Sequence, residues 1–206
     1  AGGFTAPQRL GSVATQQREG LGGLHGDGRA LHVGDLLRCA SSQLNGTACV
    51  PWRYVPDYQQ LPLLRVITGG DALSFAEDQL HSFFAQHWRL NPQSNRMGAR
   101  LAGLALQVPN ALPARQWSQG VSNGAIQVPG DGQPIILLAD RQTLGGYPLL
   151  GWLHPLDLGR LAQVPGHHEV AFTAISLSDA QAELSIKNAA RLTVALPTTL
   201  KMFDQR

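Results

Sequence analysis

Asp140, Arg141 and Gln142 follow directly on an apolar run, residues 135–139, and are closed off by Gly145-Gly146-Tyr147-Pro148. Polar groups at the exit of a strand, bracketed by glycine turns, are well placed to grip a small polar ligand. Upstream, Gln127 and Gln133 flank the turn Pro129-Gly130-Asp131-Gly132, in which glycine supplies positive φ and proline presets its own. A second polar segment, Ser94-Asn95-Arg96-Met97-Gly98, precedes another short apolar strand. A guanidinium on such a loop suits a carboxylate or phosphate, which its planar fork meets in two places. Together these groups suggest a grip on one small polar ligand. The alternative is a hairpin whose polar residues only solvate a loop, with Arg96 tying that loop to backbone carbonyls.

The elements that must hold these residues are short. The continuous apolar run 135–139 reads as a strand covered on both faces. Further strands are expected over 30–33, 36–37, 63–68, 99–101, 149–153 and 170–175. Ser74 with Glu77, and Ser178 with Gln181, have capping-box spacing, so helices are expected to begin there. The first helix ends near Gln86 and buries Phe75, Leu80, Phe83 and Phe84. The second packs through Ala180, Leu184, Ala190 and Leu192 and stops before Pro197. A short helical turn is expected over 157–163. The polar segment 41–47 reads as a surface loop, and Trp52, Tyr54 and Tyr58 among prolines read as an extended edge.

The chain has 206 residues, of which 43% are hydrophobic and only 15% charged, with 23 glycines and 13 prolines. Little charge and many turn-formers favour a mainly β architecture of short strands over long solvated helices. A net charge of +2, with no basic cluster among aromatics, argues against nucleic acid or an anionic membrane surface as partner. No apolar run reaches the roughly 20 residues of a membrane span. Cys39 and Cys49 are expected to be free thiols in a reducing cytoplasm. No metal site is expected. His25 and His32 lack a third ligand, and neighbours in His167-His168-Glu169 point to opposite faces of a strand. Ser118 has no histidine near it in sequence, so no nucleophilic role is assigned to it.

The central stretch, GAIQVPGDGQPIILLADRQTLGGYP, is similar to the signature of the allophanate hydrolase subunit 2, or biotin-dependent carboxyltransferase-like, family. Ser94 to Leu101 matches a second motif, and Gly22-Gly23-Leu24, Gly28-Arg29-Ala30-Leu31 and Gly34-Asp35 match a third more weakly. The family includes the C subunit of 5-oxoprolinase, the sporulation regulator KipA and part of the carboxyltransferase domain of urea carboxylase. The resemblance implies a cyclophilin-like β-barrel over residues 53–206 with a few short helices. Residues 1–52 would be the remainder of a preceding β subdomain, and the N-terminal part of a full-length member would be absent. It implies a component of an ATP-dependent 5-oxoprolinase. The partners would be a KipI-like (allophanate hydrolase subunit 1-type) protein and a lactam-utilisation-type protein. ATP could sit on a partner, since no P-loop is present. Asp140, Gln142 and Gln133 would be catalytic; Arg96, Met97, Gln127, Asp131, Arg141 and Tyr147 would bind a small amide. Two alternatives stay open. One is a biotin-dependent urea carboxylase module, the biotin carried elsewhere. The other is a non-catalytic KipA-like regulator.

Overall fold

The structure, a computed structural model, describes residues 3–40, 57–58, 60–109 and 118–195, and of residues 190–195 the backbone alone. Cys49, Trp52, Tyr54, the loop 41–47 and the side chains of Ala190 and Leu192 lie outside the described residues. The chain divides into two compact units, Ala1–Pro56 and Asp57–Arg206.

Turns and isolated bridges organise the first unit. Phe4 bridges Cys39, Gln16 bridges Leu21, and Gly22 bridges Asp27. The glycine turns follow from packing. A Cβ on Gly22 would strike the Ala14 carbonyl, and one on Gly28 would lie 2.6 Å from the Leu21 nitrogen. The strands expected over 30–33 and 36–37 do not form. Val33 and Gly34 are a turn, which Asp35 closes by accepting the His32 N–H at 2.8 Å. His25 meets the same Asp35 at 3.6 Å. Cys39 is an exposed free thiol.

The second unit is a closed barrel. Its strands are β1 (Leu63–Thr68), β2 (Trp88–Leu90), β3 (Gly98–Ala102), β5 (Ala125–Gln127), β6 (Ile135–Leu137), β8 (Leu149–Leu153) and β9 (Glu169–Ala174). Around the barrel they run β1-β8-β5-β6-β3-β2-β9, and β9 closes it by pairing parallel to β1, Leu63 opposite Ala171. A separate two-stranded ladder joins β4 (Gln119–Gly120) to β7 (Leu144–Gly145). The helices are α1 (Glu77–Ala85), α2 (Leu158–Leu161) and α3 (Leu177–Ala195). The 19-residue α3 runs over the segment expected, from beside Ser178 to before Pro197.

Period-two alternation sorts the strand residues between two cores. Leu64, Val66, Ile126, Val128, Ile136, Leu150, Leu153, Val170 and Phe172 fill the barrel together with Phe83 and Trp88. Phe83 of α1 stacks on Phe172 with centroids 4.9 Å apart, and the Trp88 indole N–H donates to its carbonyl at 2.9 Å. On the outer face of β5, β6 and β8 lies a second, smaller core of Ala125, Leu137 and Leu149, with Ile135 and Trp152, joined by Val121 beside β4. The run 135–137 is therefore covered on both faces, as its continuous apolarity requires.

Both helix starts differ from the capping-box reading. α1 begins after Ala76 without a side-chain cap, Ser74 belonging to the 3₁₀ turn Ala72–Ser74. The cap of α3 is Ser176, whose hydroxyl accepts the Asp179 N–H at 3.1 Å and donates to the Asp179 carboxylate at 2.6 Å. Ser176→Ala should lower stability by about 1 kcal/mol in urea unfolding, whereas Ser178→Ala should change it by a few tenths at most.

One ion-pair network ties α3 to the barrel. Asp157, 1% exposed, accepts the Arg65 backbone N–H and Nε–H, both at 2.8 Å, and Nη2–H at 2.6 Å, while Arg65 Nη1 pairs with Glu183 of α3. Buried His154 accepts the Leu156 N–H at Nδ1, so its Nε2 carries the proton and faces the Ala180 carbonyl at 3.3 Å. Burial works to raise the Asp157 pKa, but the Arg65 hydrogen bonds and charge outweigh it and hold the carboxyl below its ordinary value.

Candidate functional site

The residues singled out in the sequence fall into three places. At the exit of β6 the chain keeps pairing past the strand ends: Leu138 N–H donates to Met97 O at 3.0 Å and Asp140 N–H to Arg96 O at 2.9 Å. This sets the Arg96 guanidinium on the Asp140 carboxylate in a two-point contact, Nε at 2.7 Å and Nη2 at 3.0 Å. Side-chain exposure is 69% for Arg96 and 20% for Asp140, so the pair points one cation at solvent from a fixed base. The same contact holds the Asp140 pKa below its ordinary value, chiefly through the Arg96 hydrogen bond. The contact fixes the direction in which the Arg96 guanidinium points. Beside it opens a groove of about 320 Å³, floored by Leu90, Ala99, Leu138, Leu161 and Val164, with Arg96 on the rim. Met97 is half-buried, its N–H on Asn95 Oδ1. Arg141 turns inward, donating to the carbonyls of Val121 (3.2 Å) and Leu138 (3.4 Å), which is a structural tie. Gln142 is exposed just beyond the turn at 139–140.

Gln133 is at the opposite end of β6. Its amide clamps Gly103 from both sides, Oε1 accepting the N–H at 2.9 Å and Nε2 donating to the carbonyl at 3.1 Å. Asp131 accepts the Gln133 N–H at 3.0 Å and so closes the turn. Seven residues separate Gln133 from Asp140, roughly 20 Å along an extended chain. The expectation that they converge with Arg96 on one ligand is therefore corrected. Gln133 fastens the β3–β6 end instead, as Gln86 does for Leu104.

The third place was only half visible in the sequence. Gln127 is 1% exposed and lies opposite Ile135, on the outer-core face. Its Nε2 and that of Gln119 are buried with no hydrogen-bond partner. Tyr147, 51% exposed, stands just past the β7 ladder. Gln119, half-buried on a two-residue ladder, carried no local signal.

What this fold defines is a carboxyltransferase-type barrel unit. Residues 1–174 match the carboxyltransferase domain, subdomain A and B, and the chain belongs to that family. It is 37% identical over 191 residues to the C subunit of 5-oxoprolinase from Haemophilus influenzae, spanning 91% of this chain and 58% of that protein. The corresponding protein of Escherichia coli is 34% identical over 184 residues, spanning 87% and 56%. Among solved structures, urea carboxylase of Kluyveromyces lactis superimposes with a TM-score of 0.75 at 24% identity, over 92% of this chain and 18% of that one. The chain thus spans a little over half the length of the bacterial relatives. No helix among the described residues is long and apolar enough to cross a membrane.

Proposed function

We propose that this chain is the greater part of a 5-oxoprolinase C subunit, which opens 5-oxoproline to glutamate with ATP in company with other subunits. The observation that carries this reading is identity above one third to two such proteins over about nine-tenths of the chain. The other subunits would be a KipI-like protein of the allophanate hydrolase subunit 1 type and a lactam-utilisation-type protein, in the cytoplasm. The groove beside Arg96 supports the reading chemically. 5-Oxoproline has an apolar ring edge and a carboxylate, and an aimed guanidinium above an apolar floor suits both.

ATP would bind elsewhere in the assembly. In the turn 129–132 the Gly132 N–H donates to Pro129 O, and the next amide, Gln133 N–H, donates to Asp131.

The test is glutamate release from 5-oxoproline and ATP by the assembled subunits. Arg96→Ala should raise KM for 5-oxoproline about 10- to 100-fold, the worth of one charge-assisted contact, and change kcat much less. An unchanged KM would remove Arg96 from the substrate site. The family's carboxyltransferase description keeps one alternative alive, transfer of a carboxyl group from biotin on another polypeptide. A biotinylated protein captured with the native complex on streptavidin would favour it.

A further inference from the structure

A second cavity, of about 280 Å³, opens where β9 begins, between the approach to β1 and the segment leading from α2 into β9. Its walls are pinned through the backbone. The Ala171 N–H donates to Pro62 O at 3.0 Å, and the N–H groups of His167 and Leu90 donate to Leu90 O and His168 O, each at 2.8 Å. These bonds hold His167 at φ +70°, a left-handed conformation that strains a residue with a side chain. Backbone strain of this kind clusters at ligand clamps. The cavity is largely apolar, with Leu61, Pro62, Val164, Pro165 and Tyr58 among its lining. Leu61 and Tyr58 stay 43% and 53% exposed, so apolar surface is left for an occupant to cover. Groups of both charges line it as well. Arg160 donates to the Leu63 carbonyl through Nη1 at 3.5 Å, and its Nε–Nη2 edge has no partner among the described residues. Asp57 and Glu169 bring carboxylates, Glu169 meeting the exposed His87 at 3.3 Å. His168 turns Nδ1 to the Gly166 carbonyl at 3.3 Å. A carbonyl only accepts, so the neutral ring keeps its proton there and leaves Nε2 as an acceptor.

We infer that this cavity binds a small apolar α-amino acid as its zwitterion, at a site that Val164, which lines both, divides from the Arg96 groove. The open edge of Arg160 offers two parallel N–H donors to the ligand's carboxylate. Glu169, Asp57 and His168 Nε2 offer acceptors to its ammonium. The apolar lining takes the side chain. A side-chain carboxylate, as in glutamate, would lose its hydration against that lining, which selects for an apolar side chain.

The inference does not depend on the 5-oxoprolinase reading. The full chain would be titrated with L-leucine, 4-methylpentanoate (leucine without its amine), 3-methylbutylamine (leucine without its carboxylate) and L-glutamate. The backbone amide signals of Gln163 and Glu169 are followed by NMR. Leucine should give saturable shifts, and each of the other three should bind about tenfold more weakly or worse, the worth of one charge-assisted contact. Arg160→Met, which keeps an apolar stem, should weaken leucine about tenfold or more and leave it no better than 3-methylbutylamine. Glu169→Gln should weaken leucine similarly and bring it towards 4-methylpentanoate. A merely structural role for either residue would lower the affinity of every probe alike. Arg96→Ala should bind leucine as the wild type does. Should Arg160→Met fail to fold, Glu169→Gln, at an exposed position, carries the same test. Absence of saturable shifts with leucine, equal binding of either truncated probe, or unchanged affinity in the folded cavity variants would overturn the proposal. So would loss of leucine binding in Arg96→Ala, which would put the ligand in the groove, or equal binding of glutamate, which would make the cavity a place for the product of the proposed reaction. Glutamate release by the assembled subunits is read separately, so failure of one idea leaves the other standing.

Discussion

Asp157→Ala should destabilise the second unit by about 3 kcal/mol, the low end for breaking a buried ion pair because Arg65 keeps 28% side-chain exposure. The loss is large because one carboxylate serves the Arg65 backbone N–H and one edge of its guanidinium, through Nε and Nη2, joining β1 to the turn before α2. For a chain of this size the melting temperature should fall by about 6–12 °C. Glu183→Gln, at the exposed end of the same guanidinium, should cost under about 1 kcal/mol. The pH dependence follows from the sign of the shift. Asp157 titrates lower in the folded chain than in the unfolded one, so its contribution is complete above the unfolded pKa of about 4 and fades as pH falls below it. Thermal melts of wild type and Asp157→Ala should therefore differ most near neutrality and draw together in acid. A difference that stays constant down to pH 2 would show that Arg65 does not hold Asp157 ionised.

Gly132→Ala is expected to cost about 3 kcal/mol, as strain and steric conflict add. Gly132 has φ +71°, and a Cβ there would meet the Leu106 carbonyl and lie 2.7 Å from the Leu106 nitrogen. The Leu106 N–H donates to Gly132 O at 3.0 Å, so the backbones cannot separate without losing that bond. Gly130→Ala, two residues earlier, has open space around its would-be Cβ and should be nearly silent. Urea midpoints of the two variants check the contrast; equal losses would mean that the turn, rather than its packing on Leu106, sets the cost.

The contrast between those glycines shows what the sequence could reveal. The Pro-Gly-Asp-Gly pattern announces a turn through local chemistry, but which glycine is pressed against another segment is a long-range fact. The same division runs through the fold. β1 and β8 were legible at their exact bounds, and β6 and β9 nearly so, because their runs are long or continuously apolar. β2, β5 and the β4–β7 ladder have two or three residues each and are set by their neighbours. Both capping signals misplaced the helix start, since Ser178 and Gln181 compete with a better pair, Ser176 and Asp179, two residues upstream.

At the site, the Arg96–Asp140 end was legible because both residues flank apolar strands that pair antiparallel. Gln133 was misjudged because an amide near a turn reads alike whether it faces a ligand or clamps a backbone, and only the Gly103 contact decides. Arg65–Asp157 spans 92 positions in sequence, which no local pattern can show. The family signature does not distinguish residues that hold the fold from residues that could bind a ligand.

The most direct measurement is glutamate formation from 5-oxoproline and ATP by the complete assembly, with and without the protein that contains this chain. A 5-oxoprolinase role predicts that release requires it and that Arg96→Ala weakens 5-oxoproline binding. The same rate of release in its absence would contradict that role.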